Sequence, residues 1–198
     1  MKKILIIISM ALLASCASQQ SASKSTDAST PMTTSPEPAQ TPTTPITVNK
    51  DASGNLSGRA NKAAFMQAPF DAWFEVGYNN YTPDSETLEE LKPALEDVEI
   101  RAYMGTWCGD SKRETPRFYK ILDAADYDYD KLTMITVDRS KTRPEELVDG
   151  YDLNRVPTFI FYRDGKELGR YVEYARESLE KDVLKIVTGG DYKHSYQQ

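Results

Sequence analysis

The sequence of 198 residues has little histidine and little cysteine: one His, His194 near its C-terminal end, and two Cys, Cys16 and Cys108. One His excludes an HExxH zinc site, and its position argues against a Ser–His–Asp triad or a Cys–His pair. Zinc and iron–sulfur sites need more Cys and His ligands than the chain has. We therefore expect no metal and no cofactor.

Basic charge is also in short supply. The chain has 24 Lys and Arg against 30 Asp and Glu, a net charge of −6. Binding to nucleic acid relies on clustered Lys and Arg that neutralise phosphates. The charge balance therefore argues against a nucleic-acid partner.

Aromatic residues are absent from the first 64 positions, and the first is Phe65. A core that buries large side chains must therefore lie beyond that point. The remaining length suits one core, and two domains are not expected.

The N-terminus has the pattern of an export signal. Lys2 and Lys3 precede an apolar run, Ile4 to Leu13, that is too short to span a bilayer as a helix. The following Leu-Ala-Ser-Cys resembles a bacterial lipobox, which implies a signal peptide over 1–15 and a lipidated Cys16. Ala17 after this Cys implies a lipid anchor in the outer membrane facing the periplasm, within the cell envelope. An ordinary signal peptide followed by an incidental Cys is the alternative.

Residues 16–62 are rich in Ser, Thr, Ala and Pro. Such a composition buries too little apolar surface to offset the entropy of ordering, so it predicts a disordered tether. Coil statistics give this tether a reach of roughly 35–40 Å. A folded domain over 63–190 and a flexible tail over 191–198 complete the predicted organisation.

Within the domain, hydrophobic spacing and turn residues predict an alternation of helices and strands. Residues 65–81 are aromatic-rich and receive no assignment. The predicted elements are helices over 83–97, 109–125, 144–148 and about 179–187, and strands over 99–104, 132–137, 158–162 and 167–174. This order predicts an α/β fold with a central mixed sheet and helices on both faces.

The segment most informative about chemistry is Trp107-Cys108-Gly109-Asp110-Ser111, with Pro116 in the following helix. It resembles the active-site turn Trp-Cys-Gly-x-Cys of the thioredoxin superfamily. About 50 residues later, Arg155-Val156-Pro157-Thr158 resembles the cis-proline loop of that superfamily. The resemblance covers about residues 83–188 and implies a thioredoxin-like fold.

By this resemblance, Cys108 is the nucleophile of thiol–disulfide exchange and Trp107 shields it. Gly109, Asp110, Val156 and a cis Pro157 are then the residues that bind the substrate. A Cys at a helix N-terminus is held as a thiolate by free backbone amides and the helix dipole. The implied partner is a protein with a disulfide or thiol, or a small thiol.

The sequence departs from the superfamily at the resolving Cys, where it has Ser111. A Cys-x-x-Ser turn can attack a disulfide but cannot expel its partner by closing an internal disulfide. The buried Asp and the Lys that assist this resolution in the superfamily correspond to Ala102 and Met134. These differences predict a monothiol cycle that needs an external thiol, with Ser111 available to donate a hydrogen bond to the Cys108 thiolate.

Two alternatives stay open. Cys108 is a buried, inert thiol in the first, since free Cys is often a core residue. In the second, the domain is a redox-inactive module that uses its groove to bind a partner protein in the envelope. A one-Cys peroxidase is disfavoured, because that family places Thr where this chain has Gly105.

Overall fold

The computed structural model describes residues 45–197. The predicted signal peptide, Cys16 and most of the predicted tether lie outside the described residues. Among residues 45–197, no helix combines the length and the apolar composition needed to cross a bilayer.

In the described part of the chain, one sheet of six strands forms the centre of the domain, in the order β1-β2-β4-β3-β5-β6. β3 and β4 are parallel, and every other neighbouring pair is antiparallel, so the sheet is mixed as predicted. The strands are β1 (Asn49–Lys50), β2 (Leu56–Ala60), β3 (Glu99–Met104), β4 (Leu132–Thr136), β5 (Thr158–Arg163) and β6 (Lys166–Val172).

Residues 45–197 also form six α-helices and one 3-10 turn (Tyr129–Lys131). Three α-helices begin at side-chain caps: the Asn61 amide oxygen accepts from the Ala64 N–H at 3.1 Å, the Asp84 carboxylate accepts from the Thr87 N–H at 2.9 Å, and the Ser178 hydroxyl accepts from the Lys181 N–H at 3.4 Å. The helices are α1 (Lys62–Phe65), α2 (Asp71–Asn79), α3 (Ser85–Ala94), α4 (Gly109–Ala124), α5 (Glu145–Val148) and α6 (Leu179–Thr188).

Alternation along β3 divides the core into two clusters, one on each face of the sheet. Ile100, Ala102 and Met104 belong to the larger cluster, which takes in side chains of α1, α2, α3, α4 and α6. Tyr103 belongs to the smaller one, which takes in side chains of α5. The prediction of an α/β fold with helices on both faces of a mixed sheet is therefore confirmed.

The predicted tether is wrong for residues 49–60, which form β1 and β2. β2 pairs antiparallel with β4, and its Leu56 and Ala60 are buried. Gly58 makes the strand possible: its φ is +121°, and a Cβ there would lie 2.6 Å from the Thr47 carbonyl oxygen. The sequence of β2 is short and mostly polar, so it does not predict a strand. Pairing with β4, which is distant in the chain, stabilises the strand.

The unassigned segment 65–81 supplies α2 and part of α1. α2 packs against α4 so closely that a Cβ on Gly77 would lie 2.6 Å from Cγ of Pro116. Beside this contact, the Asp123 carboxylate on α4 accepts hydrogen bonds from Lys62, Tyr78 and Tyr129. Burial alone would raise the pKa of Asp123, but these hydrogen bonds hold that pKa below its ordinary value.

The residues predicted as a flexible tail contact the domain. The Tyr192 hydroxyl donates to Asp182 at 3.3 Å, and the Ser195 hydroxyl donates to the Tyr174 carbonyl at 2.9 Å. The Tyr196 ring lies 3.8 Å from the Arg155 guanidinium. The tail therefore packs beside the residue that precedes Val156.

Candidate active site

Cys108 occupies the position immediately before the first residue of α4. Its backbone is extended (φ −92°, ψ 129°), its N–H donates to the Gly105 carbonyl at 2.9 Å, and its own carbonyl accepts from the Lys112 N–H at 3.0 Å. The side chain is a free thiol and is partly exposed. Partial exposure excludes the alternative in which Cys108 is sealed in the core.

The thiol faces the proline loop predicted to lie opposite it. The Cys108 S–H donates to the Val156 carbonyl at 3.2 Å, and the Val156–Pro157 peptide bond is cis, as predicted. Both loop residues are buried, and the Pro157 carbonyl accepts from the Glu173 N–H at 2.8 Å. The sulfur makes no hydrogen bond to the amides of the first turn of α4. A thiolate has no proton to donate, so ionisation would break the bond to Val156 and free the sulfur to accept from those amides.

Trp107, which precedes Cys108 in the chain, packs against the same small apolar cluster as Cys108. Its indole N–H donates to the Val137 carbonyl at 2.8 Å, and the Arg139 guanidinium lies 5.4 Å from its ring. Gly105 leaves the room for this ring, because a Cβ there would lie 2.5 Å from the indole. The glycine that argued against a peroxidase therefore has a packing role.

Ser111 differs from its predicted role. It is fully buried, and its hydroxyl oxygen accepts from the Gly105 N–H at 3.1 Å. Within the described part of the chain, no hydrogen bond joins Ser111 to Cys108. Cys108 lies at the end of α4, whereas Ser111, three residues later, points towards the core. Ser111 therefore stabilises the active-site turn through its hydrogen bond with Gly105.

Below the turn, the positions that carry Asp and Lys in the superfamily are apolar. Ala102 and Met134 are buried and pair directly in the parallel register of β3 and β4. Neither side chain can carry a proton. Over residues 45–197, no three His, Cys, Asp or Glu side chains are grouped so that they could hold a metal ion.

Charged residues at the start of α4 neutralise one another. The exposed Gly109 is the first residue of α4. The next residue, Asp110, forms an ion pair with Arg113 at 2.6 Å. Arg113 also pairs at 2.6 Å with the buried Glu114. Burial alone would lower the pKa of Arg113, but both carboxylates raise it above its ordinary value. The pairing weakens the repulsion that Asp110 would exert on a Cys108 thiolate.

Thr106 is a site residue that the sequence did not reveal. Its hydroxyl accepts from the Leu56 N–H at 3.0 Å and donates to Asn55 at 3.2 Å. The bond therefore joins the active-site turn to β2. Fifty positions separate Thr106 from Leu56, and no local pattern signals such a pair.

Comparison with known proteins identifies the family of this fold. The family model described as Thioredoxin matches residues 86–185, half of the chain. The chain belongs to the thioredoxin family. β1, β2, α1 and α2 precede the residues that the family model matches.

Relatives in the thioredoxin family are about a quarter to a third identical to this chain over the aligned residues. Putative thioredoxin-5 of Dictyostelium discoideum is 32% identical over 110 residues, which are 56% of this chain and 99% of the relative. Thioredoxin domain-containing protein 2 of Rattus norvegicus is 27% identical over 122 residues, which are 60% of this chain and only 21% of that longer protein. A crystal structure of an HIV epitope-scaffold, at 16% identity, has a TM-score of 0.52 and covers 67% of this chain and 94% of its own; it shows a shared fold alone.

Proposed function

We propose that this chain is a lipid-anchored member of the thioredoxin family that carries out monothiol thiol–disulfide exchange in the cell envelope, at the outer membrane facing the periplasm. The observation that carries the proposal is the partly exposed Cys108 thiol at the start of α4, 3.2 Å from the carbonyl before the cis proline. A Ser in place of the second Cys makes the exchange monothiol.

The reaction has two balanced steps. The Cys108 thiolate attacks one sulfur of a substrate disulfide, a Cys108–substrate disulfide forms, and the other substrate sulfur leaves as a thiolate. An external thiolate then attacks the substrate sulfur of this mixed disulfide and releases Cys108 as a thiolate. The net reaction is an exchange: the external thiol ends in a disulfide with one substrate sulfur, the other substrate sulfur ends as a thiolate, and Cys108 is regenerated.

The groove between the two loops would orient the substrate. The Val156 carbonyl becomes free to accept a backbone N–H when the Cys108 proton leaves, so an extended substrate segment can add there like a strand. Trp107 closes one side of the groove. Gly109, with no side chain at the exposed helix start, lets the substrate sulfur approach along the disulfide axis.

The mixed disulfide is the species to look for. We expect the purified full chain in a Cys16→Ser background, mixed near neutral pH with an aromatic disulfide, to gain one adduct on Cys108 by intact mass. Turnover of a disulfide-linked peptide should rise in proportion to added thiol. Cys108→Ser is the matched control. A native protein that stays unmodified while the urea-unfolded chain reacts would refute the proposal.

A redox-inactive binding module is the second candidate. It is favoured by the apolar pair Ala102 and Met134, because a groove that only binds needs no proton relay. Cys108→Ala separates the two: unchanged capture of an envelope partner and an unchanged phenotype would favour binding. Loss of the partner together with the thiol would favour exchange.

The lipid anchor is a separate part of the proposal. It rests on the lipobox-like sequence that ends at Cys16. Metabolic labelling with a radioactive fatty acid should mark the wild-type chain and leave Cys16→Ser unlabelled and released from membranes. Equal labelling of the two chains would exclude Cys16 as the anchor.

A further inference from the structure

Two arginines lie on the sheet face that packs against α5. Arg59 of β2 pairs in register with Ile135 of β4, and Ile135 pairs with Tyr103 of β3. Arg101 is two positions before Tyr103, so its side chain lies on the same face. The register therefore places Arg59 and Arg101 on neighbouring parts of one surface.

Arg101 is buried without a carboxylate. It is 6% exposed, its Nε donates to the Tyr103 hydroxyl at 2.6 Å, its Nη2 donates to the Leu147 carbonyl at 2.9 Å, and its guanidinium lies 4.0 Å from the Tyr151 ring. All of these partners are neutral. No ion pair to Arg101 exists within residues 45–197, Glu99 on the same strand included, and Nη1 has no hydrogen-bond partner there. Charges so buried are ordinarily paired.

Arg59 has no counter-ion among residues 45–197 either. Burial and the nearby charge of Arg101 lower the pKa of Arg59. It lines a cleft of about 490 Å³ at this end of the sheet, together with Thr133 and Lys62. Lys62 is already paired with Asp123. Asp130 is the single acidic residue in the lining.

Thr133 supplies a donor between the two arginines. It pairs in register with Arg101 on β3, and β4 lies between β2 and β3. Its hydroxyl makes no hydrogen bond to any residue from 45 to 197. The Arg59 guanidinium and the Thr133 hydroxyl both line the cleft and are donors suited to an anionic oxygen group, and the charge of Arg101, which does not line the cleft, acts on Arg59 from nearby.

We propose that this cleft binds a small oxyanion, a carboxylate or a phosphate group. Arg59 and the Thr133 hydroxyl bind it directly, and the buried charge of Arg101 attracts it from nearby. The bound anion supplies the negative charge that both guanidinium groups lack. Met134 lines this cleft, but Trp107, Cys108, Val156 and Pro157 do not, so the inference does not depend on the proposed exchange reaction.

Thermal unfolding of the full chain tests the site with two probes, sodium phosphate and sodium acetate, against sodium chloride at equal ionic strength. A ligand that binds the folded state raises the unfolding temperature as its concentration rises. At least one probe should do so more than chloride, and calorimetric titration should give an affinity that Arg59→Gln weakens at least tenfold. A response to phosphate, to acetate or to both identifies the group that the site accepts.

Arg143→Gln is the matched control, because Arg143 is an exposed arginine that pairs with Glu145. It should bind both probes as the wild type does. If Arg59→Gln fails to fold, Thr133→Val takes its place and should weaken binding in the same way. The inference would be overturned if neither phosphate nor acetate raised the unfolding temperature more than chloride does. It would also be overturned if wild type and variant bound the probe with equal affinity. Aromatic-disulfide reactivity at Cys108 should be unaltered in Arg59→Gln, which separates this site from the thiol.

Discussion

Replacing Ser111 by Cys should convert a one-thiol site into a two-thiol site. Residues at i and i+3 of a helix have Cβ atoms about 5–6 Å apart, and a disulfide needs about 3.5–4.5 Å. The first turn of α4 must therefore tighten by about 1–2 Å to join Cys108 and the new Cys. Thiols on the same turn meet at an effective concentration above about 1 mM, so an external thiol below that level becomes unnecessary.

The substitution also has a structural cost. The Ser111 hydroxyl accepts from the buried Gly105 N–H at 3.1 Å, and sulfur is a weak acceptor. Leaving a buried amide poorly satisfied costs about 2 kcal/mol. For a domain of this size, that corresponds to a fall in the unfolding temperature of about 4–8 °C. Ser111→Ala should show the same fall without gaining a thiol.

A stoichiometric assay separates the outcomes. An aromatic disulfide that releases a coloured thiol is added in small excess to protein in a Cys16→Ser background, with no other thiol present. Wild type and Ser111→Ala should release one equivalent of coloured thiol and retain the other, whereas Ser111→Cys should release two and retain none by intact mass. One equivalent from folded Ser111→Cys would refute the geometry, and two from wild type would refute the monothiol mechanism.

Three further predictions concern packing and charge. Gly105→Ala should displace the Trp107 indole, because a Cβ would lie 2.5 Å from it; an unchanged tryptophan emission spectrum would contradict this. Gly77→Ala should destabilise by about 1–2 kcal/mol in urea, since overpacking against Pro116 outweighs the better helix propensity of Ala; a gain in stability would show that α2 can shift. Asp123→Asn should lower the free energy of unfolding by about 2 kcal/mol at neutral pH. Because folding lowers the pKa of Asp123, its carboxylate stabilises the fold when the pH is above the ordinary pKa of 3.8. This stabilisation is lost as the pH falls through the pKa of the folded state, so wild type and Asp123→Asn should be equally stable in acid.

Local sequence signals predicted the second half of the domain well. The strand at Glu99–Met104 and the helix at Gly109–Ala124 lie within a residue of their predicted bounds. Short segments of sequence are enough to show a strand's apolar character and the helical spacing of apolar residues. The cis Val156–Pro157 bond was accessible only through its resemblance to a family loop.

The parts that sequence missed depend on distant partners. β2 has few large side chains and owes its strand conformation to pairing with β4, more than 70 residues away. The sequence suggests that Ser111 is a polar neighbour of the thiol. The structure shows instead that its side chain points away from Cys108 and that its hydroxyl accepts from the Gly105 N–H. Arg101 sits within an apolar strand pattern, and nothing local indicates that its charge would be buried among neutral groups.

The bond between Thr106 and the backbone of Leu56 gives the active-site turn a mechanical connection to the N-terminal side of the chain. Thr106 is two positions from Cys108, and β2 is also paired with β4. Tension on the segment before β2 would therefore be shared between the sheet and the turn that carries the nucleophile.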